Sequence, residues 1–165
     1  MENLLEKKWR WWETTPPENT LIAEAAATEY LLLLAEYARE FYGMADRHPP
    51  VGFILKDDGG VSVVPDLEEI PREMWVPALM TTCVMGKASY YVLIAEAHVL
   101  VTDSADTAKK LASGKQKLQE MPETREGVLL VLRELSNTPV ELLFMPKTGE
   151  KSLGPVETPG PELYS

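Results

Sequence analysis

The sequence predicts a single α+β domain in which five mostly antiparallel strands form a sheet and two helices pack on one face of it. Three observations lead to this prediction. The 165 residues are 45% hydrophobic and 25% charged, which is typical of a globular chain. Two segments repeat apolar residues at helical spacing, and five segments are rich in strand-forming residues bounded by turn residues. The predicted order of elements is α-β-β-α-β-β-β.

The first helix is predicted to run from residue 16 to Tyr42. Thr15-Pro16-Pro17-Glu18 matches a capping box with proline at the first helical position. Gly43 supplies the left-handed residue that ends many helices. At 100° per residue, apolar side chains and alanines fall on one side of this helix and glutamates on the other, so we expect one buried and one solvated face.

A hairpin and a second helix follow. Val51–Lys56 and Val61–Val64 flank Asp57-Asp58-Gly59-Gly60, which supplies the positive φ angles of a tight turn. The second helix is predicted over residues 71–86, with Cys83 on its apolar side. Burial among apolar neighbours raises the pKa of a thiol, so we expect Cys83 to be unreactive.

Residues 88–101 read as a central strand, because tyrosine, valine, leucine and isoleucine dominate them. Both sides of this strand are too apolar to face water. The face away from the helices must therefore be covered by the N-terminal arm, by the exposed excursion at 103–126 or by a second subunit. For this reason we expect a homodimer or a larger assembly.

Gly127–Leu135 and Val140–Met145 predict the last two strands, which form a second hairpin. The domain is thus expected over residues 16–145, after an arm at 1–15. Residues 146–165, rich in proline and glycine, are expected to form an extended tail.

Glu96 and His98 form the one candidate for chemistry on the central strand. A spacing of two residues places both side chains on one face, where a carboxylate and an imidazole can transfer protons or bind a divalent metal. A metal would need a third ligand, and Asp103 is the candidate; the only other histidine is His48. The alternative is a structural pair in which Glu96 and His98 are hydrogen-bonded to each other. No other cofactor is expected.

The arm carries a second candidate, because Trp9, Trp11 and Trp12 lie among basic residues. Such a cluster can stack on single-stranded nucleic acid or lie at a membrane surface. Alternatively, the arm folds back and docks its indoles on the domain or on a second copy, which we favour because the chain is acidic overall.

The charge of the chain limits its partners. The net charge of −10 argues against nucleic-acid binding by the whole surface. Residues 13–73 hold 13 acidic and four basic side chains, which predicts an acidic face. This face either keeps the protein soluble or docks on a basic protein partner, in the extreme case as a mimic of DNA phosphate. The N-terminus has no signal-peptide pattern and no apolar run is long enough to span a bilayer, so we expect a cytoplasmic protein without a membrane partner.

The stretch Tyr90–His98, followed by Pro122–Leu129, resembles an uncharacterised group of bacterial and phage-type proteins. In that group a strand ending in Glu-Ala-Trp precedes a variable loop, and Pro-Asp-Arg-Arg-Glu-Ala opens the next strand; here histidine replaces the tryptophan and threonine the first arginine. The group has no assigned activity. The resemblance implies the same two strands and draws attention to Glu96, Arg125 and Glu126, with an ion pair between Arg125 and Glu96 as a structural possibility.

These observations leave three hypotheses about function. The first is a non-catalytic binding or assembly module that acts through protein–protein contacts, such as an accessory protein of a phage or another mobile element. The second is a small metal-dependent or acid–base hydrolase that uses Glu96 and His98, helped by Asp103 or Arg125. The third is an acidic inhibitor that competes with DNA. The sequence has no phosphate-binding loop, dinucleotide fingerprint, nucleophile elbow or zinc-protease motif.

Overall fold

A computed structural model describes residues 10–12, 17–100, 125–136, 139–157 and 163–164. Within this part of the chain, the helices are α1 (Thr20–Ala45) and α2 (Trp75–Gly86), and two short 3-10 turns precede α2 (Leu67–Glu69 and Arg72–Met74). The strands are β1 (Val51–Lys56), β2 (Val61–Val64), β3 (Ala88–Leu100), β4 (Arg125–Glu134), β5 (Pro139–Gly149), β6 (Ser152–Leu153) and β7 (Leu163–Tyr164).

The strands form one antiparallel sheet in the order β2-β1-β3-β4-β5-β6, and the short β7 pairs with the end of β3. The predicted α+β class with an antiparallel sheet is therefore confirmed. The five predicted strands are all present, and β6 and β7 extend the sheet. Neither described helix is long and apolar enough to cross a membrane.

The two helices lie on opposite faces of the sheet, which corrects the prediction that both pack on one face. Tyr90, Val92 and Ile94 of β3 pack in the large core with α1. The alternate residue Tyr91 packs with Leu79 of α2. Because successive side chains of a strand point to opposite faces, these two clusters are separated by the sheet. The apolar second side of β3 is thus covered in part by α2, which is none of the three predicted covers.

Both ends of α1 differ from the prediction. The helix begins after Asn19, whose side chain accepts a hydrogen bond from the backbone N–H of Ile22 at 3.0 Å. It ends at Ala45, and the next residue, Asp46, adopts the left-handed conformation with φ of 56°. The Asp46 carboxylate also accepts a hydrogen bond from the backbone N–H of Lys151 at 2.7 Å, so a tertiary contact fixes this end. Asparagine is among the preferred residues at the N-cap, and aspartate adopts the left-handed conformation more readily than most residues other than glycine.

The hairpin of β1 and β2 has the predicted bounds, and the arm packs on its turn. Gly59 has φ of 92°, and a Cβ atom there would lie 2.8 Å from the ring of Trp12. Trp11 donates hydrogen bonds from its indole to the Lys56 carbonyl at 2.5 Å and from its backbone to the Gly59 carbonyl at 3.1 Å. Both indoles are buried, and Trp11 meets Tyr90 edge to face. The turn therefore holds residues 11 and 12 against the domain.

The chain stays within the sheet past residue 145. β5 runs to Gly149, Leu153 of β6 is buried, and Glu157 forms an isolated bridge with Phe144. Arg39 of α1 donates a hydrogen bond to the Leu153 carbonyl at 2.6 Å. The segment after β5 thus contributes to the packing of α1.

Candidate functional site

Glu96 and His98 lie beside a cleft at the edge of β3 that β1 leaves unpaired. They continue the side of β3 that packs under α1, at the level where β1 has already ended, because β1 pairs with β3 only as far as Val51 and Ile94. The cleft has a volume of about 300 Å³ and is formed mainly by polar side chains. We call it the polar cleft; its polar lining consists of Tyr42, Arg72, Glu96, His98, Glu126 and Lys147.

His98 is hydrogen-bonded to Glu126, with 3.2 Å between Nε2 and Oε1. The two residues are direct partners in the β3–β4 register. This corrects the expectation that a structural pair would join Glu96 to His98. Side chains directly opposite on neighbouring strands lie closer together than side chains two residues apart on one strand, and the register decides which neighbour is available.

The carboxylate of Glu96 accepts a hydrogen bond from the backbone N–H of His48. Partial burial is the largest influence on Glu96 and raises its pKa above the ordinary value of a glutamate. The positive charges of Arg47 and Lys147 act in the opposite direction, and the negative charge of Glu126 adds to the increase. A carboxyl group with a raised pKa holds its proton closer to neutral pH, which is the property of a general acid or base in a cleft.

Lys147 and Tyr42 form a second pair in the polar cleft. The pKa of Lys147 is raised, mainly by electrostatic interaction with Tyr42 and also by hydrogen bonding to its phenol. Tyr42 is buried at the end of α1, whereas Lys147 projects from β5. The cleft therefore combines a hydroxyl, an imidazole, two carboxylates and two cations, a set able to bind a small polar molecule and to move protons.

Among the described residues, no three histidine, cysteine, aspartate or glutamate side chains lie close enough together to bind a metal ion. The predicted metal site is therefore without a ligand set in this part of the chain. Asp103 lies outside the described residues. His48 is buried, its ring packs against Phe41 and Tyr37, and its Nδ1 lies 2.8 Å from the carbonyl of Pro49. It contributes a backbone N–H to the site rather than its imidazole.

Arg125 pairs with Glu157 and not with Glu96. The guanidinium donates to both carboxylate oxygens, at 3.0 and 2.6 Å, and lies over the ring of Phe144. Arg125 and Glu126 are neighbours on β4, so they point to opposite faces. Glu126 shares its face with His98, and Arg125 is on the other one. The sequence alone does not show which of Arg125 and Glu126 faces His98, because this depends on the register between β3 and β4.

The remaining predicted residues fall outside the cleft. Trp11 and Trp12 are buried against the β1–β2 turn, and Trp9 is outside the described residues. Cys83 is buried, with Sγ 3.7 Å from the carbonyl of Tyr90. Burial, with a smaller effect of the Asp57 charge, raises the pKa of the Cys83 thiol to about 11, in agreement with the predicted unreactive thiol.

A second candidate surface is the outward side of α2, which carries no charged residue. Its outer stripe consists of Met74, Pro77, Thr81, Val84 and Met85, all exposed and spaced to share one side of the helix. Val84 is 66% exposed and Met85 81% exposed. A helix that is apolar on all sides is normally buried on all sides, so this exposed stripe is a candidate docking surface.

No protein-family model, curated protein or solved structure matches this chain. The resemblance to an uncharacterised bacterial and phage-type group therefore stays a prediction.

Proposed function

We propose that this chain is a non-catalytic assembly module that binds a second copy of itself through α2. The observation that carries the proposal is the outer stripe of α2, where exposed apolar side chains continue along the helix without a charge. Large exposed apolar side chains that are contiguous lose contact with water on association, at roughly 25 cal/mol per Å² of buried apolar surface.

The distribution of charge favours a second copy of this chain as the partner that binds to the outer stripe of α2. Residues 74–86 form the longest stretch of the sequence without Asp, Glu, Lys or Arg. In a twofold dimer the same surface patch of both subunits meets, so a patch without charges brings no like charges together. A chain with a net charge of −10 can therefore self-associate most readily through its uncharged helix.

The test compares two methionines of equal exposure. Met85, on α2, is 81% exposed, and Met44, near the end of α1, is 80% exposed. We expect the dimer dissociation constant to rise at least tenfold in Met85→Glu, because each dimer then buries two carboxylates, and to stay unchanged in Met44→Glu. Sedimentation equilibrium over about 1–100 µM measures both, a range in which specific dimers of moderate affinity dissociate.

A wild-type chain that stays monomeric throughout this range would refute the proposal, and so would equal effects of the two substitutions. Both side chains are exposed, so neither substitution is expected to alter the free energy of unfolding by more than about 0.5 kcal/mol. Urea unfolding of each variant checks this directly.

The polar cleft favours acid–base chemistry as a second candidate function. The supporting observation is the position of Glu96, a carboxyl group of raised pKa, beside the His98–Glu126 pair in one cleft. Native mass spectrometry of untagged protein tests for a retained ligand or divalent metal. Under this hypothesis a bound species is lost in Glu96→Gln and kept in the exposed control Glu150→Gln. Wild-type protein without any bound species, or equal loss in both variants, would argue against the hypothesis.

A further inference from the structure

An apolar pocket lies on the α2 face of the sheet, separate from the outer stripe of α2. It has a volume of about 220 Å³. The first turn of α2 forms one wall, and alternate residues of β3 and β4 form the floor, which is almost completely buried. The apolar lining includes Trp75, Val76, Leu93, Ala97, Leu129 and Val131.

The wall of this pocket is held in place by hydrogen bonds. The indole N–H of Trp75 donates to the carbonyls of Leu67 and Ile70, at 2.8 and 3.3 Å. A side chain fixed in this way keeps the pocket open in the absence of a ligand, so little ordering is needed on binding.

Two cations line the pocket, Arg133 of β4 and Arg72 beside the first turn of α2. The guanidinium of Arg72 lies over the ring of Trp75, 5.2 Å from the centroid, and Arg72 also lines the polar cleft. No carboxylate of the described residues lies within salt-bridge distance of it, whereas the nearby Arg47 pairs with Glu68. A guanidinium presents two parallel N–H donors that match the two oxygens of a carboxylate.

We propose that this pocket binds a small apolar carboxylate, with the tail on the floor of β3 and β4 and the carboxylate on Arg72. An apolar cavity of about 150 Å³ accommodates benzene, so one of about 220 Å³ holds roughly eight to ten heavy atoms. That size fits a medium-chain alkanoate or an aryl alkanoate. The two share one chemistry, and the probes below separate them.

Isothermal titration calorimetry of the full chain with octanoate tests the proposal, with 3-phenylpropanoate as the aromatic probe. We expect at least one of them to bind with a dissociation constant on the order of 0.1–1 mM, as the affinity per atom of small ligands implies. 1-Octanol, which lacks the charge, and acetate, which lacks the tail, should each bind at least tenfold more weakly. Absence of binding by both carboxylates, or octanol binding as tightly as octanoate, would overturn the proposal.

Substitutions locate the site. Arg72→Gln should weaken carboxylate binding at least tenfold and leave octanol unaffected, whereas the matched control Arg47→Gln should change neither. Ala97→Leu should weaken the binding of tail and carboxylate alike, because the added side chain occupies the pocket. Arg72 is exposed, so its variant remains informative even if Ala97→Leu fails to fold. Undiminished binding in Arg72→Gln, or loss of binding in Arg133→Gln alone, would contradict the assignment to Arg72.

Discussion

The two helices lie on opposite faces of the same sheet and differ in almost every physical respect. α1 buries a continuous apolar side that includes Leu34, and its exposed side combines apolar residues such as Leu32 with glutamates such as Glu29 and Glu36. α2 buries only Leu79 and Cys83, and its exposed side is apolar. An acidic outer face repels a second copy of an acidic chain, and an uncharged one permits contact. This difference in charge is the reason that the proposed contact between two copies is placed on α2 and not on α1.

The largest effect that distinguishes the two helices should come from their cores. Leu34 and Leu79 are both fully buried, but Leu34 lies within the large cluster under α1, and Leu79 lies in the small cluster under α2. We expect Leu34→Ala to lower the free energy of unfolding by about 4 kcal/mol and Leu79→Ala by about 2 kcal/mol, since a cavity costs more where neighbours cannot collapse into it.

Urea denaturation of both variants measures this difference at a concentration where the wild type has one oligomeric state. Equal losses would mean that α2 is as firmly packed as α1. In that case the exposed apolar side of α2 could not be attributed to weaker packing of this helix in the single chain.

A smaller effect is expected from pH on the α1 side. Burial lowers the pKa of His48, and its hydrogen bond to Pro49 opposes this only in part. The folded protein therefore binds this proton less readily than the unfolded chain, so the contribution of neutral His48 is complete above about pH 6.5 and is lost as the pH falls towards the folded pKa. The protein should become less stable to urea between pH 7 and 5.

His48→Phe should flatten this pH dependence relative to wild type, because the ring contacts with Phe41 and Tyr37 are retained and no proton is bound. His98→Ala serves as the comparison, since the sequence has no third histidine. A slope that survives in His48→Phe and disappears in His98→Ala would assign the effect to the polar cleft instead.

The smallest effect concerns the first residues of the two helices. Asn19 caps α1 with its side chain, whereas Met74, ahead of α2, has a helical backbone and makes no side-chain cap bond. Asn19→Ala should cost about 1 kcal/mol of unfolding free energy. Met74→Ser should bring no gain, because a capping side chain needs an extended backbone at that position. Thermal unfolding monitored by circular dichroism compares them, and stabilisation by Met74→Ser would contradict this reading of α2.

Local sequence signals were sufficient for much of the fold. The β1–β2 hairpin has its predicted bounds because Asp57-Asp58-Gly59-Gly60 favours a tight turn in any context. β3 was also predictable from local sequence, because a long run of apolar, strand-forming residues is typical of a central strand. The ends of α1 were predicted wrongly, because the bond from Lys151 to Asp46 fixes one of them and only the folded chain brings these residues together.

The site was predictable only in part. Strand alternation alone predicts that Glu96 and His98 share a face, and both lie on β3 beside the polar cleft. Glu126 was noted for its sequence context, but its pairing with His98 depends on the register of β4. Nothing in the sequence indicates that Tyr42 and Lys147 belong to the site. One lies near the end of α1 and the other on β5, and only the folded sheet brings them together.

The anchoring of α1 by Lys151 and Leu153 has a consequence for the order of folding. These contacts join residues separated by 105 and 114 positions. During synthesis α1 leaves the ribosome long before Lys151 and Leu153 are made. Its apolar side therefore stays unpacked while most of the sheet is synthesised. Contacts of such high sequence separation slow folding, because a long loop has to close before they form. A newly made α1 is therefore exposed to chaperones and to other unfinished chains, and the first helix to be made is among the last elements to be secured.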